Sequence, residues 1–246
     1  MTLDSNRLKL IACISMLIDH AAIVFPVGDM AYFICRSVIG RIAFPLFCFL
    51  LAEGFMHTRN QIRYIASIAV LAVLSEIPFN LVISGQMVFP QSQNICFTLI
   101  CGLLFFQMIN RISIWNNKDL GAVLILIAFV GISLLAQLLH FDYGMFGIAA
   151  LTACYVGSGS DQFLTAFPSI RRAKFLQRHD GRSVSRLIGL TIACICLNTA
   201  GAFLALLPAW YYDGTIRRKS AIIKYTFYLF YPIHLLLLFC LHFLIK

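Results

Sequence analysis

The sequence predicts an all-α, polytopic integral membrane bundle of about eight transmembrane helices. Three observations carry that. Hydrophobic residues make up 61% of the 246 and charged residues only 12%, about half the charged fraction of a soluble domain. The mean hydropathy is +0.88. The apolar runs are long and unbroken, whereas the strands of a transmembrane barrel alternate. Helices are then the remaining solution, because each backbone polar group in lipid must be satisfied within the protein.

Taken in order, apolar runs of bilayer length place spans at 8–27, 39–56, 62–82, 95–110, 120–139, 143–157, 187–210 and 225–245, each needing roughly 20 residues. The first is kept as a helix and not read as a cleaved signal. Asp19-His20 interrupts what would be its clean apolar region, and no small-residue cleavage site follows. The sixth is short, which points to a re-entrant or broken helix. No internal repeat or low-complexity tract appears, so residues 1–246 form one domain.

The formal net charge of +9 reads as loop charge under the positive-inside rule, not as a nucleic-acid footprint. With the N-terminus inside, Arg7, Lys9, Arg59, Arg63, Arg111, Lys118, the 171–186 cluster and Lys246 fall on the inner side. Arg36, Arg41, Arg217, Arg218, Lys219 and Lys224 fall outside. Both termini are expected on the cytoplasmic side, and the "TIRRKS" run stands against the rule. The segment "FPSIRRAKFLQR" is basic and partly amphipathic, suited to anionic headgroups.

The nine cysteines form no CxxC pair and no zinc spacing with histidine, so they read as small buried hydrophobes. No HxxxH or HxH pair seeds a metal site, and no permanently bound cofactor is expected. Walker A, GxGxxG and GxSxG patterns are missing too.

Ionisable groups inside the spans carry the functional expectation, since charge in hydrocarbon is costly. Lys9 and His20 are eleven residues apart, about three turns and ~16 Å along one helix face. If spans 1 and 2 pack as a hairpin, Lys9 meets Glu53 and Asp19-His20 meets Arg41. Glu76 and Asn80 flank Pro78, Asn94 opens span 4, Asp142 and Tyr143 open span 6, and His234 follows Pro232. Their overlapping depth predicts a polar cavity opening outward, lined for substrate by Asn80, Asn94, Asp142, Tyr143 and His234. Glu53 and His57, at i,i+4 at the inner end, are further substrate-binding candidates, with a helix-end pair as the plain alternative. A histidine beside carboxylates suits a general base or a proton relay. The residues alone stop at a polytopic protein with a buried, histidine-centred polar site.

The stretches "LKLIACISMLIDH", "IGRIAFPLFCFLLAEGFMHTRN", "SEIPFN", "FDYGMFGIAAL" and "FYLFYPIHLLLL" span nearly the whole chain, and with them it resembles the TraX family, linked to pilin acetylation. Lys9 and His20 also resemble the basic-x10-His signature of the wider membrane acyltransferase superfamily. The resemblance implies a bacterial cytoplasmic-membrane acyltransferase with acetyl-CoA as co-substrate. It makes His20 the catalytic histidine and Lys9 its basic partner. Asp19 or Glu76 would orient the ring, and Arg41 would stabilise the oxyanion. Arg59, Arg63, Arg171, Arg172 and Arg178 would hold the CoA phosphates. The acceptor would be a pilin N-terminus or an envelope glycan. Two rivals remain at this point. One is a proton-linked transporter using the same groups with Pro78 and Pro232 as hinges. The other is a non-catalytic assembly factor for a pilus or envelope complex, which tolerates loss of His20.

Overall fold

The computed structural model describes residues 2–25, 27–159, 181–215 and 221–245, the side chains of 181–183, 221, 224 and 245 excepted. Helices make the frame, and among the described residues there is no strand beyond two isolated bridges. α1 (Ser5–Val24) starts on Asp4, whose carboxylate accepts from the backbone N–H groups of Asn6 and Arg7. α2 (Asp29–His57) follows. α3 (Gln61–Ser84), α4 (Ile95–Ile112) and α5 (Lys118–Leu138) each begin on an asparagine. Asn60, Asn94 and Asn117 accept from Arg63, Cys96 and Leu120 N–H at 2.9, 2.9 and 3.0 Å. Such caps fill donors that a helix start leaves open, and they fix where each helix begins. α3 closes on Gly85, whose φ of +71° suits a left-handed cap.

Five helices are long and apolar enough to cross a bilayer: α2 to α5, and the last helix over Tyr225–Leu244. α1 has 20 residues, the length of a span, but Arg7, Lys9 and Asp19 dilute its hydropathy. Only 22% of the α5 window is buried, so most of its apolar surface faces outward, as a helix at the lipid boundary requires.

α6 (Gly144–Gly157) is short, as its sequence predicts. It lies antiparallel to α7 (Gly181–Leu197) at very close range. A Cβ on Gly157 would stand 2.7 Å from the Cα of Gly189, and one on Gly189 would stand 2.6 Å from the carbonyl oxygen of Ala153. Glycine here removes the side chains that would hold the two backbones apart, the usual way helices approach in lipid.

The seventh span, expected as one helix over 187–210, is corrected. α7 ends at Leu197, and Asn198 turns the chain with φ +49°. A 3-10 turn over Ala200–Ala205 and the short α8 (Leu206–Trp210) then lead back. Tyr212 reaches the chain's beginning: Leu3 N–H donates to the Tyr211 carbonyl, Asp213 N–H to the Leu3 carbonyl, and Ser5 N–H to the Thr215 carbonyl. The segment 181–215 is thus a hairpin that enters and leaves at one end of the bundle. Its apolar run is long enough to cross, but Asn198-Thr199 interrupts it, and hydropathy does not distinguish a crossing from a return.

That return changes the last helix. α9 (Ala221–Ile245) runs parallel to α1. Lys9 stands over Phe227, and eleven residues further along α1 His20 meets His234. The C-terminal end of α9 therefore lies at the opposite end of the bundle from the N-terminus, in place of the expected shared side. Residues 217–219 lie outside the described residues. Thr215, the last described residue before them, sits against Ser5.

Candidate functional site

α1 and α9 each bring one histidine to the same depth because they run parallel and in register. His20 is 9% exposed and His234 is 4% exposed. The Nδ1 of His20 lies 2.8 Å from the Nε2 of His234, and the Nδ1 of His234 lies 2.7 Å from the backbone carbonyl oxygen of Phe230. A carbonyl only accepts, so His234 Nδ1 carries a proton and donates it. A neutral His234 then has a bare Nε2, which accepts from His20 Nδ1–H. That leaves Nε2 of His20 as its basic nitrogen. The tautomer follows from the bonding chain. Phe230 stacks on His234 with ring centroids 4.7 Å apart and planes 12° apart, which holds the imidazole in place.

Around this pair lies the polar layer expected from the sequence, with different partnerships. Asp19 pairs with Arg36 at 3.3 Å and belongs to neither an Arg41 pair nor the His20 ring. Gly40 permits this: a Cβ there would stand 2.5 Å from the Asp19 carboxylate. The shift comes from winding. Ile34–Ile39 form a π-helical stretch followed by a 3-10 turn over Gly40–Ile42, and the changed pitch turns Arg36 toward α1. Arg41 instead donates to the Tyr143 hydroxyl at 3.1 Å, while remaining within electrostatic range of Asp19 and Asp142. Tyr143 holds φ at +61°, a conformation that costs a non-glycine residue roughly 1–3 kcal/mol. Stacking on Phe44 at 4.0 Å secures it. Asp142, in the turn before α6, accepts from Tyr143 N–H at 3.0 Å.

Glu76 accepts from both the backbone N–H and the side-chain amide of Asn94, at 3.2 and 2.5 Å. It does not orient His20 directly. Its other oxygen is buried without a hydrogen-bond partner among the described residues, and so is Oδ1 of Asn80. The Asn80 amide donates to the Met87 carbonyl at 3.2 Å. Tyr231 connects the two regions. Its ring lies 6.4 Å from His20 and 5.7 Å from His234, and its hydroxyl is within electrostatic range of Glu76 and Asp142.

At the N-terminal end of the bundle the expected Lys9–Glu53 pair does not form. Glu53, 1% exposed, binds Arg186 through both oxygens at 2.9 and 3.0 Å, and the guanidinium also stands 5.7 Å over the Tyr212 ring. Lys9 instead lies 5.6 Å from the centroid of Phe227. His57 donates from Nδ1 to the Glu53 backbone carbonyl at 2.9 Å, so the helix-end pairing engages the main chain and not the carboxylate. Arg59 and Arg63 are exposed where α2 gives way to α3. Arg171, Arg172 and Arg178 lie outside the described residues. Among the described residues no group of three or more histidine, cysteine or acidic side chains could hold a metal ion.

Sequence reasoning missed three participants. Arg36 and Arg186 were counted as loop charge, since hydropathy gives no partner for a basic residue near a span end. Tyr231 sits in "FYPIH", one turn from His234, and that spacing was its only signal. No solved structure matches the chain. A curated relative, the "Probable fimbrial assembly protein FimC, serogroup H1" of Dichelobacter nodosus, is 28% identical over 245 residues, covering 94% of this chain and 93% of the relative. The TraX protein family model matches residues 4–242, and the chain belongs to that family.

Proposed function

We propose that the protein is a membrane-embedded acyltransferase in which His20 is the general base, with acetyl-CoA as donor and an amine or hydroxyl of an envelope component as acceptor. The observation that carries the reading is the bonded chain Phe230 carbonyl, His234, His20. It holds a buried imidazole in one tautomer with Nε2 left to accept a proton, which is what a general base requires. Nε2 takes the acceptor's proton as its nitrogen or oxygen attacks the thioester carbonyl. The C–S bond breaks, and the proton passes from His20 to the departing CoA thiolate. His234 is a positioning residue, and Arg36 and Arg41 supply positive potential to the developing oxyanion. Glu76 and Asn80, each with an unfilled acceptor oxygen, suit the N–H or O–H groups of an acceptor, with Asn94, Asp142 and Tyr143 completing that wall. Exposed Arg59 and Arg63, together with Arg171, Arg172 and Arg178, are the proposed phosphate contacts. Glu53 and His57 are not part of this wall, since both are bound to neighbours within the N-terminal end.

Family membership supports a place in pilus or envelope biology, and the fimbrial assembly name of the relative supports a pilin-like acceptor over a free metabolite. The test uses the full chain in liposomes with labelled acetyl-CoA, and a pilin N-terminal peptide and an envelope glycan fraction as separate acceptors. His20→Ala is expected to lose about 10²–10⁴-fold in transfer rate while the protein stays monodisperse. Transfer near the parent rate would remove His20 from the chemistry. Intact pilus assembly by that variant, with no transfer by the parent to either acceptor, would favour the non-catalytic assembly role.

A further inference from the structure

Lys9 is a partly buried cation for which the histidine relay and the two ion pairs have no use. It sits about 16 Å below His20 on the same helix, too far to touch the ring. Among the described residues it is within salt-bridge distance of no carboxylate: its ammonium group stands 5.6 Å from the Phe227 ring, and Asp4, the acidic side chain in electrostatic range, is engaged by the backbone N–H groups of Asn6 and Arg7 at the start of α1. Placing a cation in apolar surroundings is costly unless an anion or water compensates it.

Next to Lys9 opens a groove of about 260 Å³ along the seam of α1 and α9. Leu10, Ile14 and Leu17 form one wall, and Thr226, Phe227 and Phe230 form the other. Thr226 is the one hydroxyl in the lining, and it donates to the Ile222 carbonyl of its own helix, which leaves its methyl group for the groove. Leu10 is 53% exposed and Ile14 is 50% exposed, so the groove opens sideways, where the bilayer would be. Its far end is Phe230, the ring stacked on His234. The shape is an apolar trough, and Lys9 stands just beside it, over the Phe227 ring that forms part of its wall.

We propose that this groove binds one acyl chain of an anionic phospholipid, with the lipid phosphate on Lys9. A phosphate supplies a direct counter-charge, which Asp4 does not, being committed to the start of α1, and the chain covers the trough up to Phe230. The pantetheine arm of CoA is a poor occupant, since its amides would find no polar partner along these walls. Free phosphate would leave the trough open. Lys9 lies at the end of the bundle that carries Arg7, Arg59, Arg63 and Lys118, so the lipid belongs to the leaflet facing those basic loops. The proposal goes beyond acyl transfer and does not depend on it.

The experiment is native mass spectrometry of the delipidated full chain in detergent. It is titrated with phosphatidylglycerol or with phosphatidylcholine of the same chains, and competed with inorganic phosphate and with CoA. The parent is expected to retain one phosphatidylglycerol about fivefold more tightly than phosphatidylcholine, the increment one lysine contributes at an anionic surface. Lys9→Gln should abolish that preference. Ile14→Trp, which fills the trough, should lower retention of both lipids, and Thr226→Phe repeats the test should the first variant fail to fold. Ile127→Trp on the outward face of α5 should change neither. Equal retention of the two lipids by the parent, a preference that survives Lys9→Gln, or displacement of the lipid by CoA or phosphate would overturn the proposal.

Discussion

A single nitrogen carries most of the functional argument. His20 has a carboxylate as its sequence neighbour, yet Asp19 points to Arg36 and the ring is set by His234. This gives the positioning role a direct test. A side chain that can still accept from His20 Nδ1–H should keep much of the activity, and one that cannot should lose it. His234→Gln is therefore expected to retain more transfer activity than His234→Leu, by about tenfold, the scale of one hydrogen bond at ~1.4 kcal/mol. Full pH profiles of both variants separate positioning from mere packing. His234→Leu should move the acidic limb, where His20 becomes protonated, because the imidazolium of His20 loses its acceptor, whereas a packing defect would lower the whole curve. Asp19→Asn is expected to weaken the hold of α1 on the π-helical part of α2 more than the chemistry, read as a drop in melting temperature larger than the drop in rate.

At the scale of elements, the re-entrant hairpin is held at its base by Glu53 and Arg186 and along its length by Gly157 and Gly189. Removing one partner of a buried pair leaves the other charge uncompensated, at a cost of about 3–5 kcal/mol. Glu53→Gln and Arg186→Met alone are each expected to destabilise the protein by that order. The double change Glu53→Gln with Arg186→Met should recover most of it. The check is thermal unfolding of the three variants in one detergent, and full additivity of the single effects would show that the pair does not act as a unit. Gly157→Val tests the other contact. Its side chain has only the α7 backbone to occupy, so loss of about 1–3 kcal/mol from overpacking is expected. Gly131→Val, on α5 with nothing within 4 Å of an added Cβ, should be neutral by the same measurement.

For the whole molecule, the parallel packing of α1 and α9 fixes the relative placement of the two ends. The described basic residues outside the polar layer, Arg7, Lys9, Arg59, Arg63, Arg111, Lys118 and Arg186, gather toward the N-terminal end, so that end is expected in the cytoplasm. Reporter fusions at Asn116 and Thr215 should give a cytoplasmic signal. Fusions at Ser92 and after Lys246 should give an external one. A cytoplasmic signal from the C-terminal fusion would contradict the return at Asn198.

What the sequence by itself determined is the chemistry of the solvent and the depth of the polar groups. Composition and run length dictate a helical membrane protein, because lipid offers the backbone no partners. The asparagines at 60, 94 and 117 mark helix starts through local bonds that need nothing distant. The positions of His20, Arg41, Glu76, Asn94, Asp142 and His234 along their runs placed them in one layer, since rise per residue is fixed. What only the tertiary structure decided is direction and partner. A run of 24 apolar residues interrupted by Asn198 has the same hydropathy whether it crosses or returns, and the choice reversed α9. Pairing was likewise out of reach, because the wider turn of the π-helical stretch brings Arg36 rather than Arg41 to Asp19. Arg186, far along the chain, takes the Glu53 that simple hairpin geometry would assign to Lys9. Depth is a property of one helix and can be counted along it, whereas a contact depends on the rotation and polarity of two helices, which are set by how the whole bundle packs.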